Sequence, residues 1–462
     1  MNEIPDDWRE RAPMMDAAAW TGLRNVIQHV DAPRWNQTIG DRVDAHALDG
    51  LHAFREQIAQ SALSVATAPA DPMLAWLDAM RPRLIGLDDL PRGFDLGRDF
   101  ESLPTTSRED IVRRLEDIVP RDIGLDDAII YSTSGTTGHP VIIPSHPGCM
   151  VKNLAHLELL GRLHGTPIAP VRGAPTMLNI SAQQRTYVFA CAMAGWNGAT
   201  FAKINLSAHD WGGGGASRHR FCADFDPQVI ASEPLTMAEM LRLELPVSPR
   251  LIVSSAVTLT PAHATRVAEG LGCAVVDLYS STETGPIAAT VPGVDGHAIL
   301  LPDVYVEAVD EDDNRVPDGT RGELTITGGR NPFLPLVRYR TGDYGKLGTA
   351  RLPDGRSVRV IRELEGRAPV LFRAQDGRPI SSVDIARSVR PIGPFVQHTF
   401  RQSADGTVEL RLRPIPDVPV PLDAMEHALR RLFGDDAGIS VVLDEQLGLG
   451  EGKPITWQSE VD

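Results

Sequence analysis

Apolar residues recur three to five apart through the first part of the chain. Ala17, Ala18, Ala19 and Trp20 with Leu23, Val26 and Ile27 give one such set. Leu48, Leu51, Phe54, Ile58 and Leu63 give another over residues 44–61. That spacing predicts amphipathic helices, so residues 1–120 read as a mainly helical layer. At 107–111, Ser107 precedes an apolar turn with Asp110 three residues on, which predicts an N-capped helix. From 128 the pattern changes. Short β-branched runs such as Ala128, Ile129, Ile130 and Val141, Ile142, Ile143 alternate with helical spacings. A strand at 251–253, a helix at 260–271 and a strand at 274–279 predict a βαβ unit in a parallel sheet covered by helices. Residues 301–345 read as β-hairpins. The last hundred residues carry strand-like pieces at 358–362, 408–413 and 439–443 around a helix at 422–433, which predicts a small α+β domain. Trp211 followed by four glycines predicts a mobile loop, because glycine loses most entropy on ordering.

The fold class is therefore α/β. A large N-terminal domain carries layered sheets and helices: its helical part is 1–120 and its core 121–363. A small C-terminal α+β domain follows at 364–462. A length of 462 residues suits two or three domains. The formal charge of −16, from 45 basic and 61 acidic residues, argues against a nucleic-acid surface and against docking on an anionic membrane. The four cysteines, Cys149, Cys191, Cys222 and Cys273, form no C-x-x-C pair, which speaks against a disulfide framework or a zinc knuckle. The N-terminus is acidic without an apolar stretch, and no run of about 18 apolar residues occurs, so a cytoplasmic protein is expected.

Between the runs at 129–130 and 141–143 lie Ser132, Thr133, Ser134, Gly135, Thr136, Thr137, Gly138, His139 and Pro140. Small residues let the backbone approach an anion, and hydroxyl and N–H groups donate to phosphate oxygens. His139 follows Gly138 where a Walker loop would have lysine, so a Walker ATPase is excluded. A second candidate stretch, Asp277 to Gly285, ends the last strand of the βαβ unit, where ligands of open α/β sheets bind. A third is Pro335, Leu336, Val337, Arg338, Tyr339, Arg340, Thr341, Gly342, Asp343.

The loop at 132–140 resembles the phosphate loop of the adenylate-forming enzymes: acyl- and aryl-CoA ligases, peptide-synthetase adenylation domains and luciferases. Tyr279, Ser281, Thr282 and Glu283 resemble their Tyr-Gly-x-Thr-Glu, with Ser280 in place of the usual glycine. Residues 339–343 resemble their Tyr-Arg-Thr-Gly-Asp. The phrase from Leu103 and Pro104 to Arg108, Glu109, Asp110 and Ile111, together with the run from Pro335 to Arg338, is similar to the phenylacetate-CoA ligase-like branch. The resemblance spans roughly residues 100–460.

It implies that the phosphate loop holds the ATP phosphates, Glu283 holds Mg²⁺ and Thr282 contacts the phosphoryl oxygens. Asp343 would take the ribose hydroxyls, and Ser254, Ser255 and Ala256 would lie beside adenine. Arg367 stands in the family's Gly-Arg-x-Asp, and Lys453, in a Gly-Lys context, would neutralise charge as the adenylate forms. The family's hinge aspartate is here Pro369, whose ring fixes φ, so rotation would fall on neighbouring bonds such as Gly366 or reach an unusual second state. The implied chemistry joins a small-molecule carboxylic acid, aryl or arylacetic, to AMP with release of pyrophosphate. Transfer to CoA follows. An amine, a carrier-protein thiol or another small nucleophile stays open as acceptor, and so does a non-catalytic nucleotide-binding regulatory protein. Tyr187, Trp196 and Phe201 are candidates both for the acyl pocket and for core. A monomer or homodimer is expected.

Overall fold

The computed structural model describes residues 3–461 except 62, 64, 66, 84–86, 88–89, 92, 121, 127, 134–140, 184–185, 258, 301, 366–369 and 450–455, and it does not describe the side chains of 61, 132, 133, 381, 383 and 387. The strands in chain order are β1 (Ile129–Thr133), β2 (Val141–Ser145), β3 (Pro175–Ser181), β4 (Phe189–Met193), β5 (Ala199–Asn205), β6 (Val229–Ser232), β7 (Leu251–Ser254), β8 (Ala274–Ser281), β9 (Gly285–Thr290) and β10 (His297–Ile299). They continue as β11 (Tyr305–Val309), β12 (Arg321–Gly328), β13 (Leu336–Arg351), β14 (Ser357–Glu365), β15 (Leu371–Arg373), β16 (Pro379–Ser381), β17 (Phe395–Gln402), β18 (Val408–Pro414), β19 (Ile439–Leu443) and β20 (Trp457–Ser459).

Among the described residues, twelve strands form one sheet in the order β11-β12-β13-β14-β10-β9-β8-β7-β6-β3-β5-β4. β8 is its pivot. Ala274 to Asp277 pair parallel with β7, and Leu278 to Ser281 pair antiparallel with β9. The parallel half is buried on both faces. Leu251 and Val253 enter one apolar cluster with the helices Ala45–Ser61 and Pro147–Leu163, whereas Ile252 between them enters the other, with Ala17–Ile27 and Gly214–Phe225. Successive side chains of a strand point to opposite faces, so a continuous Leu-Ile-Val run needs a helical layer on each side. Each fully buried Leu, Ile or Val contributes about 1.5–3 kcal/mol.

The helix Arg108–Arg113 starts at a capping box: Ser107 accepts from the Asp110 N–H, and the Asp110 carboxylate accepts from Ser107 N–H. The segment before it lies along β13, with Thr106 N–H donating to Arg338 O (3.2 Å) and Arg340 N–H to Thr106 O (2.7 Å). This brings the helix start to the sheet. The run 358–362 belongs to β14, which pairs with β13 and β10 in the large sheet.

The second sheet, β19-β18-β17-β20, packs with the helices Ser382–Val389 and Leu422–Phe433 around its own apolar cluster. It meets the first unit where Val396 and Ile415 pack on Leu235 and Ala238, and where Thr260 Oγ1 donates to Phe395 O (3.2 Å). Among the described residues no helix is long and apolar enough to cross a membrane. Cys149, Cys191 and Cys222 are buried and Cys273 is half-buried, all as free thiols.

Two expectations need correction: the run 358–362, read with the small α+β domain, joins the large sheet because it pairs with β13 and β10, and the second concerns the glycines. The glycine run after Trp211 is not a loose loop. Trp211 is buried and its indole N–H donates to Asn205 O (2.8 Å), and Gly214 and Gly215 open the helix Gly214–Phe225. A Cβ at Gly213 would lie 2.2 Å from Ser217 Oγ, so glycine there serves a close approach and not mobility.

Three buried histidines make the fold sensitive to acid. Burial, with the charge of Arg390, holds His398 at about 3; burial, with the charge of Arg330, holds His156 at about 3. Burial holds His263 at about 4. These rings are neutral in the folded chain and take up protons in the unfolded chain below about 6.5, so stability falls as pH falls through that value. Each should remove about 1 kcal/mol between pH 6.5 and 5.5. Urea unfolding at the two pH values should show the loss, and His398→Phe should reduce it by roughly a third. Equal stability at both values would show that the rings do not act this way.

Candidate active site

The carboxyl end of β8 turns sharply into β9. Ser281 Oγ accepts from the Thr284 N–H (3.1 Å) and meets Thr284 Oγ1 at 2.9 Å, which closes the turn 281–284. Gly285 follows at φ 71°, a conformation that suits glycine. From below, Arg330 clamps the turn, its Nη1 donating to Thr284 O (3.1 Å) and Pro286 O (2.6 Å) while its other nitrogens form a bidentate pair with Asp303. Thr282 is left exposed and Glu283 is folded inward, 7% exposed.

Two polar bridges tie this turn to β13. Tyr279 Oη donates to Asp343 Oδ2 (2.8 Å). Burial, reinforced by the Asp343 charge, pushes the Tyr279 phenol well above its ordinary range, so it stays a donor. Glu283 Oε1 accepts from Arg108 Nη1 (3.3 Å) and lies 3.5 Å from Tyr339 Oη. Burial and the Glu283 charge raise the Tyr339 phenol as well. Asp343 sits half-buried after Gly342, whose φ of 78° turns the strand and whose N–H donates to Glu323 Oε1 (3.0 Å). Its own N–H donates to Thr341 Oγ1 (3.1 Å). Beside β8, Ser254 ends β7 fully buried, and its Oγ has no hydrogen-bond partner among the described residues. The half-buried Ser255 donates its N–H to Ser232 O (3.1 Å), and the exposed Ala256 stands at φ 74°.

Tyr279, Ser281, Thr282, Glu283 and Asp343 thus converge at the point where β8 leaves the parallel half of the sheet, and Ser254, Ser255 and Ala256 stand at the end of the adjoining strand. Ser132 and Thr133 end β1, with Thr133 opposite Val141. Ser134, Gly135, Thr136, Thr137, Gly138, Arg367, Pro369 and Lys453 lie outside the described residues. Trp196 is core: 2% exposed, its indole N–H donating to Glu158 Oε1 (2.9 Å). Tyr187 is 63% exposed, and Phe201 packs on Phe189.

Sequence reasoning gave no role to Arg108 or Arg330. Arg108 stood inside a quoted motif, but its partner is 175 residues away. Arg330 carried no local signal.

The donor set suits a nucleotide. An unpartnered buried hydroxyl, an exposed threonine hydroxyl and an aspartate held beside a phenol match ring, phosphate and vicinal diol. Among the described residues no group of three His, Cys, Asp or Glu side chains could cage a metal ion. Mg²⁺ takes one or two carboxylates, keeps water and fills its shell with phosphate oxygens, so a single buried carboxylate at the turn could serve it. Glu283 would be the protein's carboxylate.

A family model described as AMP-binding enzyme matches residues 86–331. The chain is similar to a phenylacetate-coenzyme A ligase of Aromatoleum evansii, 24% identical over 358 residues, covering 71% of this chain and 78% of that protein. It is also similar to a phenylacetate-coenzyme A ligase of Thermus thermophilus, 26% identical over 388 residues, covering 76% and 84%. Among solved structures, 2-hydroxyisobutyryl-CoA ligase in the postadenylation state matches with a TM-score of 0.59 at 18% identity, over 90% of this chain and 89% of that one. That last likeness is one of fold.

Proposed function

The chain belongs to the AMP-binding enzyme family, and on that premise we propose that it activates an aryl or arylacetic acid as its acyl adenylate at the β8–β13 junction and passes the acyl group to CoA. As an AMP-forming acid–CoA ligase it would run R–COO⁻ + ATP → R–CO–AMP + pyrophosphate. The CoA thiol then displaces AMP, losing its proton, to give the thioester. The observation that carries this reading is the pairing of residues from three distant stretches: Glu283 with Arg108 and Tyr339, and Tyr279 with Asp343.

Attack of a carboxylate on the α-phosphorus needs charges held and oriented more than it needs proton transfer. Asp343, fixed through Tyr279, would orient the ribose. Ser254, Ser255 and Ala256 would lie along the adenine. Arg108 would stand beside the phosphates as a fixed positive charge, with Glu283 accepting Mg²⁺ next to it. Mg²⁺, when bound with ATP, supplies charge neutralisation at the leaving pyrophosphate. The loop 132–138 would supply hydroxyl and N–H donors to the phosphates, and Lys453 and Arg367, brought by the C-terminal part of the chain, would face the reacting centre and the nucleotide.

The test is pyrophosphate and AMP release with ATP, Mg²⁺ and a panel of aryl, arylacetic and short-chain acids, with and without CoA. The expected result is release with an aryl or arylacetic acid that rises with CoA and yields a thioester. Release indifferent to CoA would replace CoA by an amine or another nucleophile. No release with any acid, together with no binding of Mg·ATP, would remove the assignment.

A further inference from the structure

The helix Pro147–Leu163 is apolar over most of its buried length, with Val151, Leu154, Ala155, Leu157, Leu159 and Leu160 turned inward. Two polar residues interrupt it. Asn153 and His156 stand three residues apart, hence on one face of the helix, about 4.5 Å apart along its axis. His156 is 1% exposed, and neither of its ring nitrogens has a hydrogen-bond partner among the described residues; the same is true of Asn153 Oδ1. The imidazole meets the Phe54 ring edge to face at 5.3 Å. Burial and the nearby Arg330 charge keep it neutral, so one nitrogen donates and the other accepts. Unpaired buried polar atoms cost folding free energy that a leucine at either position would not.

Their place is informative. A Cβ added at Gly285 would lie 3.6 Å from Asn153 Oδ1 and 3.1 Å from Arg330 Nη1. Gly285 is two residues beyond Glu283, so the Asn153 amide stands beside the turn that carries Thr282 and Glu283. The Arg330–Asp303 pair is bidentate and buried, so Asp303 offsets part of the Arg330 charge there. Taking the β8–β13 junction as an acid-activating site, we infer that Asn153 and His156 form a polar end of the acyl pocket and select an acid carrying a neutral hydroxyl group, alcoholic or phenolic. A hydroxyl donates to one acceptor and accepts from one donor, which is what the Asn153 carbonyl and a neutral imidazole offer. An ammonium would meet the Arg330 and Lys152 charges that also reach the imidazole. An acid without the hydroxyl leaves the same atoms unpaired and binds with that loss.

The experiment uses matched acids: phenylacetate and its ring-hydroxylated forms, benzoate and its hydroxylated forms, and short-chain acids with and without a hydroxyl. ATP–pyrophosphate exchange gives kcat/KM for each on the full-length protein, on His156→Leu and on His156→Gln. At least one hydroxylated acid should exceed its parent by about 100-fold or more. His156→Leu should bring that ratio below about 10, and His156→Gln, which keeps a donor and an acceptor, should hold part of it. A second readout needs no turnover. In the ligand-free protein His156→Leu should raise Tm by a few degrees, because two unpaired nitrogens disappear; a lowered Tm would mean the ring is satisfied within the fold and would overturn the inference. Parent acids exchanging as well as their hydroxylated partners would overturn it while leaving the site assignment standing. Exchange with none of the acids would overturn both.

Discussion

Replacing Glu283 by glutamine should lower pyrophosphate release by about a thousandfold, equivalent to about 4 kcal/mol of transition-state stabilisation. Glutamine keeps the size of the side chain but loses the charge that a hard cation needs. The carboxylate is almost fully buried, and Arg108 and Tyr339 hold it at the end of β8. Its loss would also leave Arg108 without its counter-charge, so free ATP should still bind while its Mg²⁺ dependence weakens. Steady-state release of pyrophosphate as a function of Mg²⁺, alongside ATP binding by calorimetry, checks both parts. A Glu283→Gln protein within tenfold of the parent at saturating Mg²⁺ would mean that this carboxylate does not serve the phosphates.

Arg338→Met should cost about 3–5 kcal/mol of folding stability, a large part of the roughly 5–15 kcal/mol that holds a typical domain. Arg338 and Glu307 are each 1% exposed and pair at 3.2 Å. The guanidinium also donates to Glu101 O (2.6 Å), Leu103 O (2.7 Å) and Asp313 O (2.9 Å). It thus pins the chain entering 104–108 and the turn before β12 to β13. The second oxygen of Glu307 has no partner among the described residues, and burial already raises that carboxyl above its usual range. Methionine would leave an uncompensated charge and three unpaired carbonyls. Urea unfolding should show the loss, and Arg338→Met combined with Glu307→Leu should recover much of it, because an apolar pair needs no counter-ion. A single variant within 1 kcal/mol of the parent would show that the pair is not what fixes this corner.

The two motifs that carry the candidate site were legible because their geometry is local. A strand, a turn built of Ser, Thr and Gly, and a carboxylate within nine residues specify both the end of β8 and the acid that stands there. Residues 339–343 place Asp343 by the same logic. The partners that hold those acids were not legible. Arg108 reaches Glu283 across 175 residues and Arg330 reaches the 284–286 turn across 44 to 46, and no short window of sequence contains those pairings. Residues 358–362 read correctly as a strand, but which sheet they join depends on β13 running sixteen residues through glycines and charges that look like a turn. The glycines after Trp211 misled for a related reason. Glycine marks either freedom or crowding, and only the position of Ser217 decides which. Asn153 and His156 did carry a signal, two polar residues on the buried face of an apolar helix, but periodicity analysis weighs the apolar positions and passes over the exceptions.

The four thiols have a practical consequence. Alkylating reagents attack thiolate. Burial pushes Cys149 and Cys273 up to about 11 and Cys222 up to about 12, and Cys191 higher still. At pH 7 on the order of one part in ten thousand of Cys273, the least buried, is ionised. A cysteine introduced on the exposed surface of the helix Leu422–Phe433 should therefore take up a maleimide dye far faster than the native four, without first removing them. Fluorescence from such a label, followed as ATP, acid and acceptor are added in turn, would report whether the C-terminal sheet moves.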